Sequence, residues 1–262
     1  MNQLVLIIAT VKWPGWASCA STWPETAAGP FTRRIIEGRP LLEAYQQGLE
    51  ETQEPIVGYC HDDLRVQEKG WDARVLAEFE DPRVGLVGFG GGLGHGDPEM
   101  YRKPYELVQL ARRGFRSNTK DAEVNGERFK GECDVAVLDG MALFVRREVL
   151  LKAKWYEQKP LPEGRGTPES NPDGWNMLKG WPPTHGTWHD AVPIGYIGYD
   201  YWLCCHVRRQ GYRIRLAGVA CDHLNGKSTG LGPQVITGED FAAAHRYIYD
   251  TCRDVLPYEV AR

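Results

Sequence analysis

The chain has 262 residues, enough for one α/β domain with a long excursion and a sizeable apolar core. Its 42% apolar and 25% charged residues exclude the disordered and fibrous classes, and a formal charge of −4 gives no general affinity for polyanions. The apolar run at 4–9 lacks the flanks of a signal peptide and is too short to span a bilayer, so a soluble, cytoplasmic protein without a transmembrane segment is expected.

Residues 4–9 read as a buried strand and 33–36 as a short second one. Leu41, Leu42, Tyr45 and Leu49 recur at helical spacing, and 56–60 is a β-rich run ending in His61-Asp62-Asp63. Trp71, Val75 and Phe79 mark another helix face, and 84–87 another strand. Strands alternating with helices at this pace predict a Rossmann-like sheet with parallel pairing. Gly90-Gly91-Gly92 match neither a phosphate loop nor a helix-opening GxGxxG, and read as a flexible joint. A polar stretch follows, with a short helix predicted at 106–113, then strands at 135–138 and 142–145 and a helix from Arg147. Residues 154–194 are rich in Pro, Gly and Trp, a length that marks a functional or disordered loop, and Trp155, Trp175, Trp181 and Trp188 argue against disorder. A helix is predicted at 199–210, strands at 213–216 and 219–221, and a flexible segment at 225–232. Thr237 and Asp240 signal the start of a last helix through His245 and Cys252. Seven cysteines without a CxxC pair read as reduced, mostly buried thiols.

The strongest local signal is the buried strand that closes on His61-Asp62-Asp63. Ligands of open α/β sheets collect at the carboxyl ends of strands. Adjacent carboxylates repel unless a proton or cation offsets them, which makes a divalent ion a natural partner. The plainer alternative is that the two aspartates only begin a turn.

Four ordered motifs carry a resemblance. Residues 39–66 resemble the family 2 glycosyltransferases of the GT-A fold, in which a helix and an apolar strand precede a DxD motif; here the first acid is His61. The resemblance implies that Asp63 is a metal ligand and that Asp62 lies near the donor's ribose or sugar. It leaves His61 open as a further ligand, a sugar contact or a packing residue. Residues 138–150 resemble the family's glycine turn, strand and Arg-Arg-Glu-Val helix start. This implies close sugar approach at Gly140 and a donor or acceptor contact at Asp139, unless Asp139 is an ordinary turn residue. Residues 198–214 resemble the acidic motif, helix and Gly-Tyr-Arg-Ile strand, and Asp200 aligns with the family's base, though Asp is also a natural N-cap. Residues 219–230 resemble the terminal strand, histidine and Gly/Ser loop, implying His223 as a metal ligand, unless it is a structural histidine, and Lys227, Ser228 and Thr229 as diphosphate contacts. An Asp/His set leans toward Mn²⁺ over Mg²⁺. Thr10 ends the first strand, where this fold receives the base, and Glu37 follows the second as a candidate ribose or base contact, or else a solvated turn acid.

The expectation is therefore one GT-A domain over 1–262, α/β with a mixed, mostly parallel sheet flanked by helices. Residues 1–87 form the nucleotide-binding half and 88–262 the acceptor-side half, with insertions at 88–133 and 154–194. In the second insertion Trp181, Trp188 and His189 are the candidate acceptor contacts, with a small satellite core beneath the loop as the alternative use of its tryptophans. The implied activity is metal-dependent, inverting transfer of a sugar from a UDP- or GDP-type donor to an acceptor hydroxyl. The acceptor is left open among glycan, lipid-linked sugar, protein and modified nucleobase. Two alternatives stand beside it: a sugar-phosphate nucleotidyltransferase, whose basic glycine loop Lys12-Trp13-Pro14-Gly15-Trp16 matches poorly, and a non-catalytic sugar- or nucleic-acid-binding module.

Overall fold

The computed structural model describes residues 2–39, 41–96, 112–120, 126–153, 198–224, 245, 248–249 and 251–260. In chain order the elements are β1 (Leu4–Thr10), α1 (Trp16–Thr26), β2 (Thr32–Glu37), α2 (Leu41–Glu50), β3 (Ile56–Cys60), β4 (Leu64–Val66), α3 (Trp71–Glu78), β5 (Val84–Gly88) and β6 (Gly90–His95). There follow β7 (Arg112–Ser117), β8 (Glu127–Arg128), β9 (Glu132–Asp134), β10 (Val137–Leu138), β11 (Ala142–Arg146), α4 (Arg147–Ala153), α5 (Tyr199–Arg209), β12 (Arg213–Ala217), β13 (Cys221–His223) and β14 (Tyr258–Glu259).

A 7-stranded sheet in the order β2-β1-β3-β11-β5-β12-β9 is the centre of the molecule. β2, β1 and β3 are parallel, and β11 runs antiparallel between β3 and β5. β12 is parallel to β5, and β9 closes the edge antiparallel to β12. Every strand but β11 and β9 thus points the same way. The central strands are near-continuous apolar runs because both faces are covered. Side-chain alternation divides them between two cores: Val5, Ile7, Val57, Tyr59, Leu143 and Val145 pack with α2, α4 and α5 on one side. Leu4, Leu6, Ile8, Ile56, Cys60 and Phe144 pack with α1 and α3 on the other. There Trp23 and Trp71 meet edge-on at 4.8 Å, and Trp71 Nε1–H donates to the Trp23 carbonyl at 2.9 Å.

A 5-stranded sheet, β10-β6-β7-β8 with β14 on β6, and a two-stranded ribbon of β4 and β13 complete the β-structure of the described residues. Here the structure corrects the sequence reading. Gly90-Gly91-Gly92 are not a flexible joint but the start of buried strand β6. A Cβ on Gly91 would stand 2.6 Å from the Val137 carbonyl, so the glycine is what lets β10 approach. Arg112 and Arg113, predicted in a helix, belong to β7, and residues 106–111 lie outside the described residues. Of the strand predicted at 135–138 only Val137–Leu138 is strand, as β10, and the one predicted at 219–221 lies two residues later as β13. α1, β4, β8, β9 and β14 are additional elements. α1 carries Trp16, Cys19, Ala20 and Trp23 at helical spacing, but Pro14-Gly15 before it and Pro24 within it obscure the pattern. The seven cysteines are thiols, six of them buried and Cys133 partly so. Among the described residues no helix is long and apolar enough to cross a membrane.

Candidate metal centre

β1 and β3, paired side by side, end together and deliver Thr10 and His61 to the same edge of the sheet. The chain then turns through Asp62 and Asp63 into β4. His61 N–H is tied to the Met141 carbonyl at 3.1 Å, fixing the turn against the entry to β11. Asp62 is buried and its Oδ2 accepts from the Thr10 hydroxyl at 2.6 Å. β13 brings the distant histidine in: its antiparallel register sets His223 opposite Leu64, next to Asp63, and Leu224 N–H donates to the Asp63 carbonyl at 3.0 Å.

His223 Nε2 consequently lies 3.4 Å from Asp63 Oδ1 and 3.4 Å from His61 Nδ1. One ligand atom from each of His61, Asp63 and His223 falls within 4.8 Å of the other two. The Asp63 side chain is only 2% exposed and that of His223 13%, so bulk water does little to soften their mutual field. Burial, then the neighbouring His223, pushes the His61 pKa below its usual value, opposed by Asp63 and Asp139. A neutral imidazole is the form that ligates. The Cys60 thiol is driven well up, first by burial and then by the charges of Asp62 and Asp63, which marks concentrated negative potential at this strand end. The donor set of two imidazoles and one carboxylate fits a divalent transition ion.

A second group of residues joins this cluster. Tyr199, the first residue of α5, was missed by sequence reasoning because an aromatic at a helix start reads as core. Its hydroxyl lies 3.0 Å from His61 Nε2 and donates to the Gly140 carbonyl at 3.1 Å. Gly140 N–H donates to Asp200 Oδ2 at 2.8 Å, and Tyr201 N–H to Asp200 Oδ1 at 2.9 Å. Position 140 tolerates no side chain, since a Cβ there would collide with the Tyr199 hydroxyl. Asp139 Oδ1 accepts from Met141 N–H at 3.0 Å.

The structure therefore gathers Thr10 with Asp62, and His61, Asp63 and His223 with Gly140 and Asp200. Glu37 stands opposite Thr10 in the β1–β2 register and forms an exposed ion pair with Lys12 at 2.6 Å. Lys12 itself is held at φ 53°, an uncommon left-handed conformation for lysine. Lys227, Ser228, Thr229, Trp181, Trp188 and His189 lie outside the described residues.

No protein-family model matches the sequence, and no curated protein does. Solved structures are similar in fold. A197 from STIV overlaps 84% of this chain and 83% of its own at 14% identity, with a loose TM-score of 0.41. GalNAc-T7, solved with UDP, GalNAc and Mn²⁺, overlaps 85% of this chain at 9% identity and a TM-score of 0.50. The chain spans 44% of the length of that protein. At such identity the likeness speaks for architecture alone. The fold is of GT-A type, a mixed, mostly parallel sheet flanked by helices, shared with GalNAc-T7.

Proposed function

We propose that the chain is a divalent-metal-dependent glycosyltransferase that uses a nucleoside diphosphate sugar of UDP or GDP type and inverts the anomeric centre. The observation that carries this reading is the convergence of His61, Asp63 and His223 at the carboxyl end of β3 in a GT-A fold. These three residues would hold the ion, Mn²⁺ in preference to Mg²⁺ given the imidazoles. When bound, the ion supplies positive charge that offsets a departing diphosphate. Thr10, Asp62 and Glu37 are assigned to the nucleoside, Asp139 and Gly140 to the donor sugar, and Lys227 and Ser228 to the diphosphate. Trp181, Trp188 and His189 are assigned to the acceptor.

Asp200 takes the proton of the acceptor hydroxyl as its oxygen attacks the anomeric carbon and the bond to the diphosphate breaks. Support comes from its linkage through Gly140 and Tyr199 to His61, which sets the carboxylate beside the candidate centre. Localisation in the cytoplasm belongs to the same proposal.

The test is thermal stabilisation by UDP-, GDP-, CMP- and dTDP-sugars, each with and without Mn²⁺. One nucleotide class should raise Tm only when Mn²⁺ is present, and Asp63→Ala should abolish the shift. If no sugar nucleotide stabilises the protein, or Asp63→Ala responds like the parent, the reading fails.

A further inference from the structure

His61 is not part of a DxD pattern, and its neighbours decide what it can do. Of its two ring nitrogens, Nδ1 faces His223 Nε2 at 3.4 Å and Nε2 faces the Tyr199 hydroxyl at 3.0 Å. A neutral imidazole carries one proton and one lone pair, so whichever nitrogen is protonated settles whether His61 can ligate from the Nδ1 side. The Tyr199 hydroxyl has a single proton, and the Gly140 carbonyl, which can only accept, takes it at 3.1 Å. Given to the Gly140 carbonyl, that proton leaves the hydroxyl to meet His61 as an acceptor. This puts the imidazole proton on Nε2 and leaves the Nδ1 lone pair facing His223 and Asp63.

We infer that Tyr199 is a positioning residue that locks His61 in the Nε2–H tautomer, making its Nδ1 the third ligand of the metal centre. The chain of bonds runs from Gly140 through Tyr199 to His61, and it accounts for three residues at once. Gly140 lacks a side chain because the hydroxyl occupies the place of its Cβ. Tyr199 sits at the start of α5, with its ring 6.1 Å from that of Tyr45 in the core, so the hydroxyl is delivered by a rigid element. His61, which the sequence leaves as ligand, sugar contact or packing residue, becomes a ligand. Outer partners of this kind fix ring orientation and tautomer in metal sites generally, and their loss typically lowers affinity by about ten- to a hundredfold. The inference rests on the proposal that His61, Asp63 and His223 hold a divalent ion, and its test separates the two.

The test pairs two measurements on the full chain. Nitrogen-15 NMR of histidine-labelled, metal-free protein, with the His61 signals assigned by their absence in His61→Gln, reads the tautomer directly. Calorimetric titration with Mn²⁺ alone reads the site. The expected result is an Nε2–H tautomer for His61 in the parent and a mixture of tautomers in Tyr199→Phe. Mn²⁺ Kd should rise about ten- to a hundredfold in that variant. Tyr199→Phe keeps the ring in the core, so a general loss of folding would appear as a lower Tm and not as a tautomer change. An Nδ1–H tautomer in the parent overturns the inference, as does Mn²⁺ binding in Tyr199→Phe equal to that of the parent. A flat titration of the parent overturns the metal reading itself, while the tautomer spectrum still decides whether Tyr199 orients the ring.

Discussion

Asp200 is held at both carboxylate oxygens by backbone N–H donors, from Gly140 and from Tyr201. Asparagine has nearly the same shape and can keep its one oxygen toward Gly140, but it cannot accept a proton from an attacking hydroxyl. We expect Asp200→Asn to fold, to bind Mn²⁺ and donor nearly as the parent does, and to lose about two to four orders of magnitude in kcat. Transfer kinetics read beside a Mn²⁺ titration check this, and undiminished turnover removes Asp200 from the role of base. The residues that converge at the candidate centre could be singled out because their types are telling: carboxylates after a buried strand, a histidine after a late one. Tyr199 was not, since nothing local separates a tyrosine that orients a ligand from one that fills a core. Gly140 was singled out, but its need for hydrogen in place of a side chain follows from a hydroxyl 59 residues away in sequence.

The meeting of Asp63 with His223 depends on two elements of three residues each, β4 and β13. A ribbon that small is not stable alone, so its neighbours must fasten it. α1 supplies the Thr22 hydroxyl, which accepts from Val66 N–H at 3.0 Å. Glu68 supplies more: its Oε2 accepts from Ala220 N–H at 2.8 Å and its Oε1 pairs with Arg74 at 2.7 Å. Its own N–H and that of Gln67 reach the Ala220 carbonyl at 3.2 and 2.9 Å. Glu68→Ala strips Ala220 N–H of its acceptor and loosens the lead into β13. Leaving such a group unsatisfied costs about 1–3 kcal/mol. We expect a lower Tm together with a Mn²⁺ affinity reduced by up to about tenfold, one step of 1.4 kcal/mol, although residue 68 touches none of the ligands. Glu68→Gln, which keeps an oxygen for Ala220, should recover most of both. Thermal melts and Mn²⁺ titrations of the two variants decide, and unchanged affinity in Glu68→Ala would detach the ribbon from the centre. Elements of this length leave too few residues for periodicity to register, which is why β4 went unread. β6 hid for a different reason: its glycines, selected for close strand approach, carry no β-branched pattern.

At the scale of the whole molecule, the second sheet, α5 and the last described segment meet around His95. It ends β6, stands opposite Tyr258 of β14, and is buried against α5, where Arg208 Nη2–H donates to its Nδ1 at 2.8 Å. The Tyr201 ring lies 5.6 Å from it and 5.0 Å from that of His245. Burial first, then Arg208 and His245, hold the His95 pKa well below its usual 6.5. The sign follows from proton counting. Below pH 6.5 the unfolded chain binds a proton at His95 that the folded chain refuses, so acid favours unfolding. This contribution to stability is fully present above pH 6.5 and declines as pH falls toward the folded pKa, by up to about 1.4 kcal/mol per pH unit for one such group. Burial depresses His61 in the same direction, so part of the slope belongs to the candidate centre. In metal-free buffer we expect urea midpoints to be level between pH 8 and 7 and to fall from about pH 6.5 to 5.5. In His95→Gln, which can still accept from Arg208 but does not titrate, the fall should be shallower while some remains from His61. A slope identical to that of the parent would place the titrating group outside the contact of β6 with α5.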